Sequence, residues 1–212
     1  MIRVVASIDE KDPQLGPFFS ECGQRLQTLL ADSDLLEGHF QINSQRCNSA
    51  YIEIALPQKV ENKPFIFIAY THGNENALIS QGSQYVYGDN VHVFNGSLMY
   101  SMACLTGKTL GGLLIESGCR TFIGYTEPSM AFLENGYKEI TINCELSGLN
   151  CFFNSGLTIK ECFDKMKSYY AFQIDQLSLC ADVLARANLV ANNEALILLG
   201  DTNVKASDFD ID

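Results

Sequence analysis

The residues best suited to chemistry are a histidine and a cysteine, each of which follows a run of apolar residues. His72 comes just after residues 65–70, and Cys104 comes just after residues 98–103. A cysteine thiolate is a nucleophile, and a nearby imidazole both favours the thiolate and can carry a proton. The residue types therefore indicate nucleophilic catalysis by a histidine–cysteine pair, provided that the fold brings these two segments together.

The neighbours of the pair fit the same chemistry. Gly73 would let a substrate carbonyl approach the backbone closely, and the N–H groups of Gly73 and Cys104 could form an oxyanion hole. A helix predicted to begin near Lys108 would add its N-terminus to the influences that favour a thiolate. We therefore expect His72 and Cys104 as catalytic residues and Gly73 and Cys104 as the oxyanion hole.

A second motif in this region imitates a nucleotide-binding loop. Gly107-Lys108-Thr109 before a helix resembles the end of a P-loop. A P-loop also needs a glycine five residues before Gly107, and Met102 stands there. Without that glycine the backbone N–H groups cannot wrap a phosphate, so the sequence argues against nucleotide binding.

The composition is that of a globular protein. The chain has 212 residues, 47% of them hydrophobic and 18% charged, which is enough apolar material for a sizeable core. We predict one domain over residues 1–204 and an acidic tail over residues 205–212. The 14 basic and 25 acidic residues give a net charge of −11. This balance argues against a nucleic-acid partner, because phosphate binding needs a basic face.

Membrane and export signals are also missing from the sequence. No apolar run approaches the roughly 20 residues that a membrane helix needs. The first residues lack the basic and then apolar layout of a signal peptide. We therefore expect a cytoplasmic protein with no membrane partner.

Most of the eight cysteines are expected to be buried thiols. They include no CxxC pair, and only three histidines accompany them, so a zinc site is not indicated. No pattern suggests another metal or a cofactor. Besides Cys104, the expected core thiols are Cys22, Cys47, Cys119, Cys144, Cys151, Cys162 and Cys180.

Hydrophobic periodicity predicts strands that alternate with helices. The predicted strands are residues 2–8, 65–70, 98–103, 121–125 and 195–199, with a weak strand at 39–47 and a hairpin at 77–87. The predicted helices are residues 18–30, 108–117 with Gly118 as its cap, and a segment opened by a capping box of Thr158 and Glu161. Residues 50–56 fit either a helix or a strand, and residues 130–154 have no clear pattern.

This alternation predicts an α/β protein with a mostly parallel sheet and helices on both faces. In such sheets ligands bind beyond the carboxyl ends of the strands. Those ends carry Asp9, His72, Cys104 and Glu127. We therefore expect a site at this edge of the sheet.

The residues around the pair resemble a known family. Tyr70-Thr71-His72-Gly73 and the run from Ser101 to Gly107 resemble the His-Gly and Ala-Cys signatures of the caspase-like (clan CD) cysteine peptidases. The spacing of 32 residues between His72 and Cys104 is shorter than the caspase spacing of about 50. Met102 and Thr106 stand where caspases have glutamine and glycine. The chain is therefore more similar to the bacterial CHAT and gingipain-like peptidases.

Two downstream segments extend the resemblance. Residues 111–124 are similar to the helix, glycine and strand that follow the cysteine in CHAT domains. Residues 198–202 look like the Leu-Gly-Asp-Pro close of the bacterial families, with Thr202 in place of proline. The resemblance covers residues 64–128 well and residues 157–204 loosely.

The resemblance implies a caspase-like three-layer α/β/α sandwich in which the last strand can run antiparallel. It also implies a cysteine endopeptidase that cleaves a protein substrate by limited proteolysis, as in bacterial defence systems. His72 would be the general base and acid and Cys104 the nucleophile. No third carboxylate is required in this clan.

The resemblance also suggests where the side chain before the cleaved bond would bind. In related enzymes this S1 pocket is lined from the end of the first strand and from around the strand after the cysteine. The corresponding residues here are Asp9 or Glu10, Met102 and Glu127. Carboxylates in that pocket would favour lysine or arginine at P1.

Two alternatives to a constitutive peptidase stay open. One is a catalytically inert, caspase-like binding or scaffold module with a misaligned pair. The other is a domain that becomes competent only when it binds an activating protein partner, or after cleavage in a loop such as residues 137–157.

Overall fold

The computed structural model describes residues 2–31, 36–134, 136–177 and 181–210; Cys180 lies outside them. The strands are β1 (Ile2–Ile8), β2 (Leu36–Asn43), β3 (Ile66–Tyr70), β4 (His72–Gly73), β5 (Ala77–Ser80), β6 (Ser83–Tyr87), β7 (Leu98–Ser101), β8 (Thr121–Tyr125) and β9 (Leu196–Gly200). The helices are α1 (Gly16–Ala31), α2 (Leu56–Lys59), α3 (Leu110–Glu116), α4 (Tyr137–Asn154), α5 (Ile159–Gln176) and α6 (Val183–Ala195).

A six-stranded sheet forms the middle layer. Its order is β2-β1-β3-β7-β8-β9, and every pairing is parallel except that of β9 with β8. The strands β4, β5 and β6 form a separate antiparallel sheet. The predicted α/β/α sandwich with a mostly parallel sheet and an antiparallel last strand is therefore confirmed.

Two apolar cores cover the faces of the sheet. One contains side chains from α1, α4, α5 and α6, and the other contains side chains from α2, α3, β5 and β6. Every residue of β1, β3 and β8 is buried. Burial on both faces explains why these strands are continuous apolar runs in the sequence.

Both predicted helix caps are present. Gly118 has a φ of 94° and ends α3: its N–H donates to Ile115 O, and the N–H of Cys119 donates to Leu114 O. This is the Schellman pattern, which favours glycine because of its left-handed backbone. At α5 the Thr158 hydroxyl accepts from the N–H of Glu161, while Glu161 Oε2 accepts from the N–H of Thr158.

Two helices are not evident in the sequence. Residues 137–154, within the segment that has no clear pattern, form α4. This helix is not evident in the sequence because its inner face mixes apolar residues with Thr141, Glu145 and Gly148. Helix α6 buries a narrow face that includes Asn192, while Val183 and Leu184 are exposed. In both helices a polar residue on the buried face interrupts the apolar stripe.

Smaller differences concern the short segments. The ambiguous residues are helical: Tyr51–Ala55 form a π-helical turn that continues into α2. Of the segment expected to be an acidic tail, residues 206–209 form a 3-10 turn with Ala206 and Phe209 buried against the core. Across the described ranges, no helix combines the length and the apolar character required to cross a bilayer.

Candidate active site

The ends of β3 and β7 meet at one edge of the sheet. Ala69 pairs with Ser101, and the N–H of Met102 donates to Ala69 O at 3.0 Å. Gly73 packs so closely on the next turn that a Cβ there would lie 2.7 Å from Ala103 Cβ and 3.0 Å from Cys104 O. The segments that carry His72 and Cys104 are therefore in direct contact, and glycine is required where they touch.

The turn that carries Cys104 is held by hydroxyl groups beneath it. Ser101 Oγ accepts from the N–H of Ala103 at 3.2 Å and from the Thr106 hydroxyl at 3.3 Å. Leu105, directly after the cysteine, has a φ of 63°. This left-handed backbone is costly for a residue with a side chain and depends on the surrounding structure to hold it.

His72 has a carboxylate partner that the sequence does not reveal. Its Nε2 lies 3.0 Å from Asp12 Oδ2, and the Asp12 side chain is only 12% exposed. The His72 ring also packs nearly at a right angle against the ring of Phe19 of α1, with the ring centres 5.7 Å apart. The imidazole is thus fixed by residues from the loop after β1 and from the helix that follows it.

Asp12 is held in its ionised form. Its Oδ1 accepts from the N–H groups of Gln14 and Leu15 at 2.9 and 2.6 Å. Burial alone would raise the pKa of Asp12, but the two N–H donors and His72 outweigh it, so the pKa is lowered from its ordinary value. The sequence signal that could have identified Asp12 is an aspartate in the loop between β1 and α1, because this residue type often accepts from the backbone N–H groups that follow it.

Cys104 is partly exposed, and its thiol donates to Ser129 O at 3.5 Å. Burial raises the pKa of the thiol. Two N–H groups at the start of α3 have acceptors other than the thiol: Leu110 donates to Glu75 O and Gly111 to Thr106 O. The expectation that the helix N-terminus favours a thiolate stays a prediction.

The loop that meets the thiol is held in place by Asn192. This side chain, with no exposed surface, donates to Met130 O at 2.9 Å and accepts from the N–H of Met130 at 2.8 Å. At the other end of the loop the N–H of Thr126 donates to Ala195 O at 2.9 Å. Helix α6, through Asn192 and its last residue Ala195, thus holds residues 126–130 beside Cys104.

The two candidate catalytic side chains have separate partners in the described structure. His72 is bonded to Asp12, and Cys104 is bonded to Ser129, rather than to each other. The backbone contact at Gly73 brings their segments together. The described structure therefore brings the two segments into contact, with no hydrogen bond between the imidazole and the thiol.

The predicted S1 residues lie at different depths. Asp9 is fully buried, and its carboxylate accepts from the Ser44 hydroxyl at 2.7 Å and from the N–H of Gln81 at 3.1 Å. Glu10 is half-buried and accepts from the same hydroxyl at 3.0 Å. Met102 is 5% exposed and belongs to the core.

Glu127 lies on the open rim instead. Its side chain is 62% exposed, and its carboxylate lies 3.5 Å from Lys108 Nζ. The same ammonium lies 3.5 Å from Glu75 Oε1. Lys108 thus bridges carboxylates from two loops that flank the turn of Cys104, and its charge offsets part of the negative charge there.

Comparisons with known proteins address the fold. No protein-family model matches the chain, and no curated protein matches it in sequence. A solved structure described as "Structure of Protease" superposes with a TM-score of 0.62 at 12% identity, over 96% of this chain and 48% of that one. A structure of pro-sf-caspase-1 aligns with a TM-score of 0.49 at 11% identity, over 85% of this chain and 81% of that one. The chain thus spans about half the length of a solved protease and shares its fold.

Proposed function

We propose that this chain is a caspase-like cysteine peptidase in which Cys104 is the nucleophile and His72 is the general base and acid. The observation that carries the proposal is the contact of Gly73 with the turn of Cys104. It puts the two residues with suitable chemistry at the edge of a parallel sheet where ligands bind. The fold shared with a solved protease supports the proposal.

The reaction starts from a neutral thiol. When a substrate displaces Ser129, His72 takes the proton of Cys104 while the sulfur attacks the scissile carbonyl carbon. The N–H groups of Gly73 and Cys104 would stabilise the oxyanion. His72 then gives the proton to the leaving amine, and water hydrolyses the acyl-enzyme.

Asp12 acts as a positioning residue in this scheme. It holds the imidazole through Nε2, which leaves Nδ1 to exchange the proton of the thiol. Its negative charge would also stabilise the imidazolium formed during attack. The histidine and cysteine thus gain a carboxylate that the clan does not require.

We also propose a protein substrate with lysine or arginine at P1. Glu10 and Glu127 supply the accessible carboxylates, and Asp9 fixes Glu10 through their shared partner Ser44. Met102 would form the apolar floor. Cleavage of a peptide panel with no preference for basic P1 residues would refute this specificity while leaving the dyad intact.

The dyad is tested first without a substrate. We would measure alkylation of each cysteine by iodoacetamide between about pH 5 and 9, by mass spectrometry, in the wild type and in His72→Ala. We expect His72→Ala to slow alkylation of Cys104 severalfold and to leave Cys151 unchanged, because Cys151 is a partly exposed thiol on another element. Equal rates at Cys104 in the two proteins would contradict a dyad that is assembled in the isolated chain.

Peptide cleavage is the second test. We expect Cys104→Ala and His72→Ala to lower kcat/KM by three orders of magnitude or more, because each removes a group that acts in the covalent step. Activity that survives Cys104→Ala would show that the nucleophile lies elsewhere.

A partner-activated domain is the second candidate, favoured by the contact between Cys104 and Ser129 O. In that case the isolated chain has little activity, and an activating protein would release the loop of residues 126–130. Protease sensitivity of that loop with and without a partner separates the two candidates. A role in bacterial defence and a cytoplasmic location stay predictions.

A further inference from the structure

A pair of thiols lies where the end of α4 meets the start of α5. Cys151 Sγ lies 3.4 Å from Ser155 Oγ, and Cys162 Sγ lies 4.0 Å from the same oxygen. Both thiols thus lie within contact distance of the same hydroxyl. Three side chains from two packed helices and their connection therefore form one small polar cluster away from Cys104.

One member of the pair is open to solvent. Cys151 is half-buried and lines a surface groove of about 720 Å³, together with Leu29, Lys165 and Tyr169. Cys162 has no exposed surface. A small oxidant in the solvent can therefore reach Cys151 but not Cys162.

We propose that Cys151 and Cys162 are a redox modification site that forms a reversible disulfide between α4 and α5. The inference is independent of peptidase activity. It rests on the serine that both thiols contact and on the groove that exposes only Cys151.

The oxidation balances with a peroxide as the oxidant. The Cys151 thiolate attacks one oxygen of hydrogen peroxide, which breaks the O–O bond, gives a sulfenic acid and releases the first water after protonation. The Cys162 thiolate then attacks the Cys151 sulfur, the S–S bond forms, and the sulfenic oxygen leaves as the second water. The two thiols lose two electrons and two protons, and the peroxide is reduced to water.

The structure also explains the order of these steps. Burial and the neighbouring Cys151 raise the pKa of Cys162 to about 12, and Lys165 partly opposes this. The buried Cys162 thiol is therefore a poor first target for peroxide, and it reacts second, with the oxidised Cys151. Burial also raises the pKa of four other cysteines, Cys22, Cys47, Cys119 and Cys144.

The pair lies far from the candidate active site. Cys162 lines a small cavity with Ile159 and with Leu98, the first residue of β7. Cys104 follows the opposite end of that strand, at the edge where Gly73 packs. We therefore expect the disulfide to join the helices without consuming the candidate nucleophile.

The test is oxidation of the full chain by hydrogen peroxide, followed by blocking of free thiols, trypsin digestion and mass spectrometry. Cleavage after Lys138, Lys160 and Lys165 places Cys162 in residues 161–165 and Cys151 in residues 139–160. We expect these two peptides to be linked, with the loss of two hydrogen atoms, and to separate on treatment with dithiothreitol.

Variants assign the partner, because residues 139–160 also contain Cys144. We expect Cys144→Ala to keep the cross-link, and Cys151→Ser and Cys162→Ala each to abolish it. Cys151→Ser keeps the test valid if replacement of the buried Cys162 impairs folding. A cross-link through Cys144, or a Cys151 oxidised beyond sulfenic acid while Cys162 stays a free thiol, would overturn the proposal.

Discussion

Two carboxylates in this molecule have similar numbers of partners but opposite environments. Asp12 lies at the sheet edge, accepts from two backbone N–H groups and contacts His72. Glu145 of α4 lies in the core with no exposed surface and accepts from three tyrosine hydroxyls. The pKa of Asp12 is lowered, whereas that of Glu145 is raised because burial outweighs its hydrogen bonds.

The cluster of Glu145 joins four elements of the fold. The hydroxyl of Tyr100 on β7 donates to Oε2 at 2.5 Å, and that of Tyr170 on α5 donates to Oε1 at 2.7 Å. Tyr125 on β8 also donates to Oε1. All three phenols are fully buried, and burial raises the pKa of each. The cluster therefore has no route for exchanging protons with a substrate.

The comparison separates a perturbed pKa from a functional one. Perturbed groups concentrate at active sites, but structural networks perturb pKa values as well. The cluster of Glu145 is the more deeply buried of the two, yet its hydroxyls and its carboxylate are hydrogen-bonded to one another. Asp12 has the partner with accessible chemistry. Solvent access, rather than the presence of a pKa shift, distinguishes the two.

The largest effect that tests this contrast is the loss of Glu145. We expect Glu145→Ala to lower the free energy of unfolding by about 3 kcal/mol or more, because three buried phenols lose their acceptor and a cavity opens. The matched change Asp12→Ala should cost about 1 kcal/mol, since that site can admit water. Urea unfolding of both variants measures the difference, and equal losses would break the comparison.

The next effect concerns the loop of residues 126–130, which lies beside Cys104. We expect Asn192→Ala to lower the free energy of unfolding by about 1–3 kcal/mol, because the N–H and C=O of Met130 lose their partners. We also expect faster alkylation of Cys104, because Ser129 is no longer held beside it. Asn188→Ala, one turn earlier on α6, is the control. An unchanged alkylation rate in Asn192→Ala would show that this clamp does not restrain the loop.

Much of the site could be predicted because it follows from local patterns. Buried strands, the Gly118 cap and the Thr158 capping box are properties of neighbouring residues, and parallel strand ends meet at one edge. These patterns suffice to put the segments of His72 and Cys104 side by side.

The remaining features depend on contacts between distant residues. Asp12 reaches His72 across 60 positions, and Asn192 reaches Met130 across 62. No spacing rule encodes such contacts. Glu145 also makes α4 difficult to predict, because a buried acid in an apolar stripe interrupts the helical periodicity of the sequence.

A smaller effect tests the role of Asp12. Given peptidase activity, we expect Asp12→Asn to lower kcat at least tenfold with little change in KM, because the amide NH2 would donate to Nε2 and leave Nδ1 protonated, unable to accept the proton of the thiol. The free energy of unfolding should change by less than about 1 kcal/mol, since the amide oxygen can still accept from Gln14 and Leu15. A rise in KM at constant kcat would instead indicate a role in substrate binding.

The smallest effect is a change in the pH dependence of stability. The pKa of Glu145 in the folded chain is raised above its ordinary value of 4.5, so folding favours the protonated form. This contribution is fully present below pH 4.5 and is lost as the pH rises through the raised pKa. Glu145→Gln removes this titration while keeping a polar side chain of the same size.

We therefore expect Glu145→Gln to flatten the decline in stability above pH 4.5 relative to the wild type. Asp12 acts with the opposite sign: its lowered pKa gives stability that is present above its ordinary value of 3.8 and is lost as the pH falls. Urea midpoints of the wild type and of Glu145→Gln, compared from about pH 4 to 8, measure the difference between the two curves. Parallel curves would mean that the pKa of the Glu145 carboxyl is the same in the folded and unfolded chain, and the contrast between the two acids would then rest on Asp12 alone.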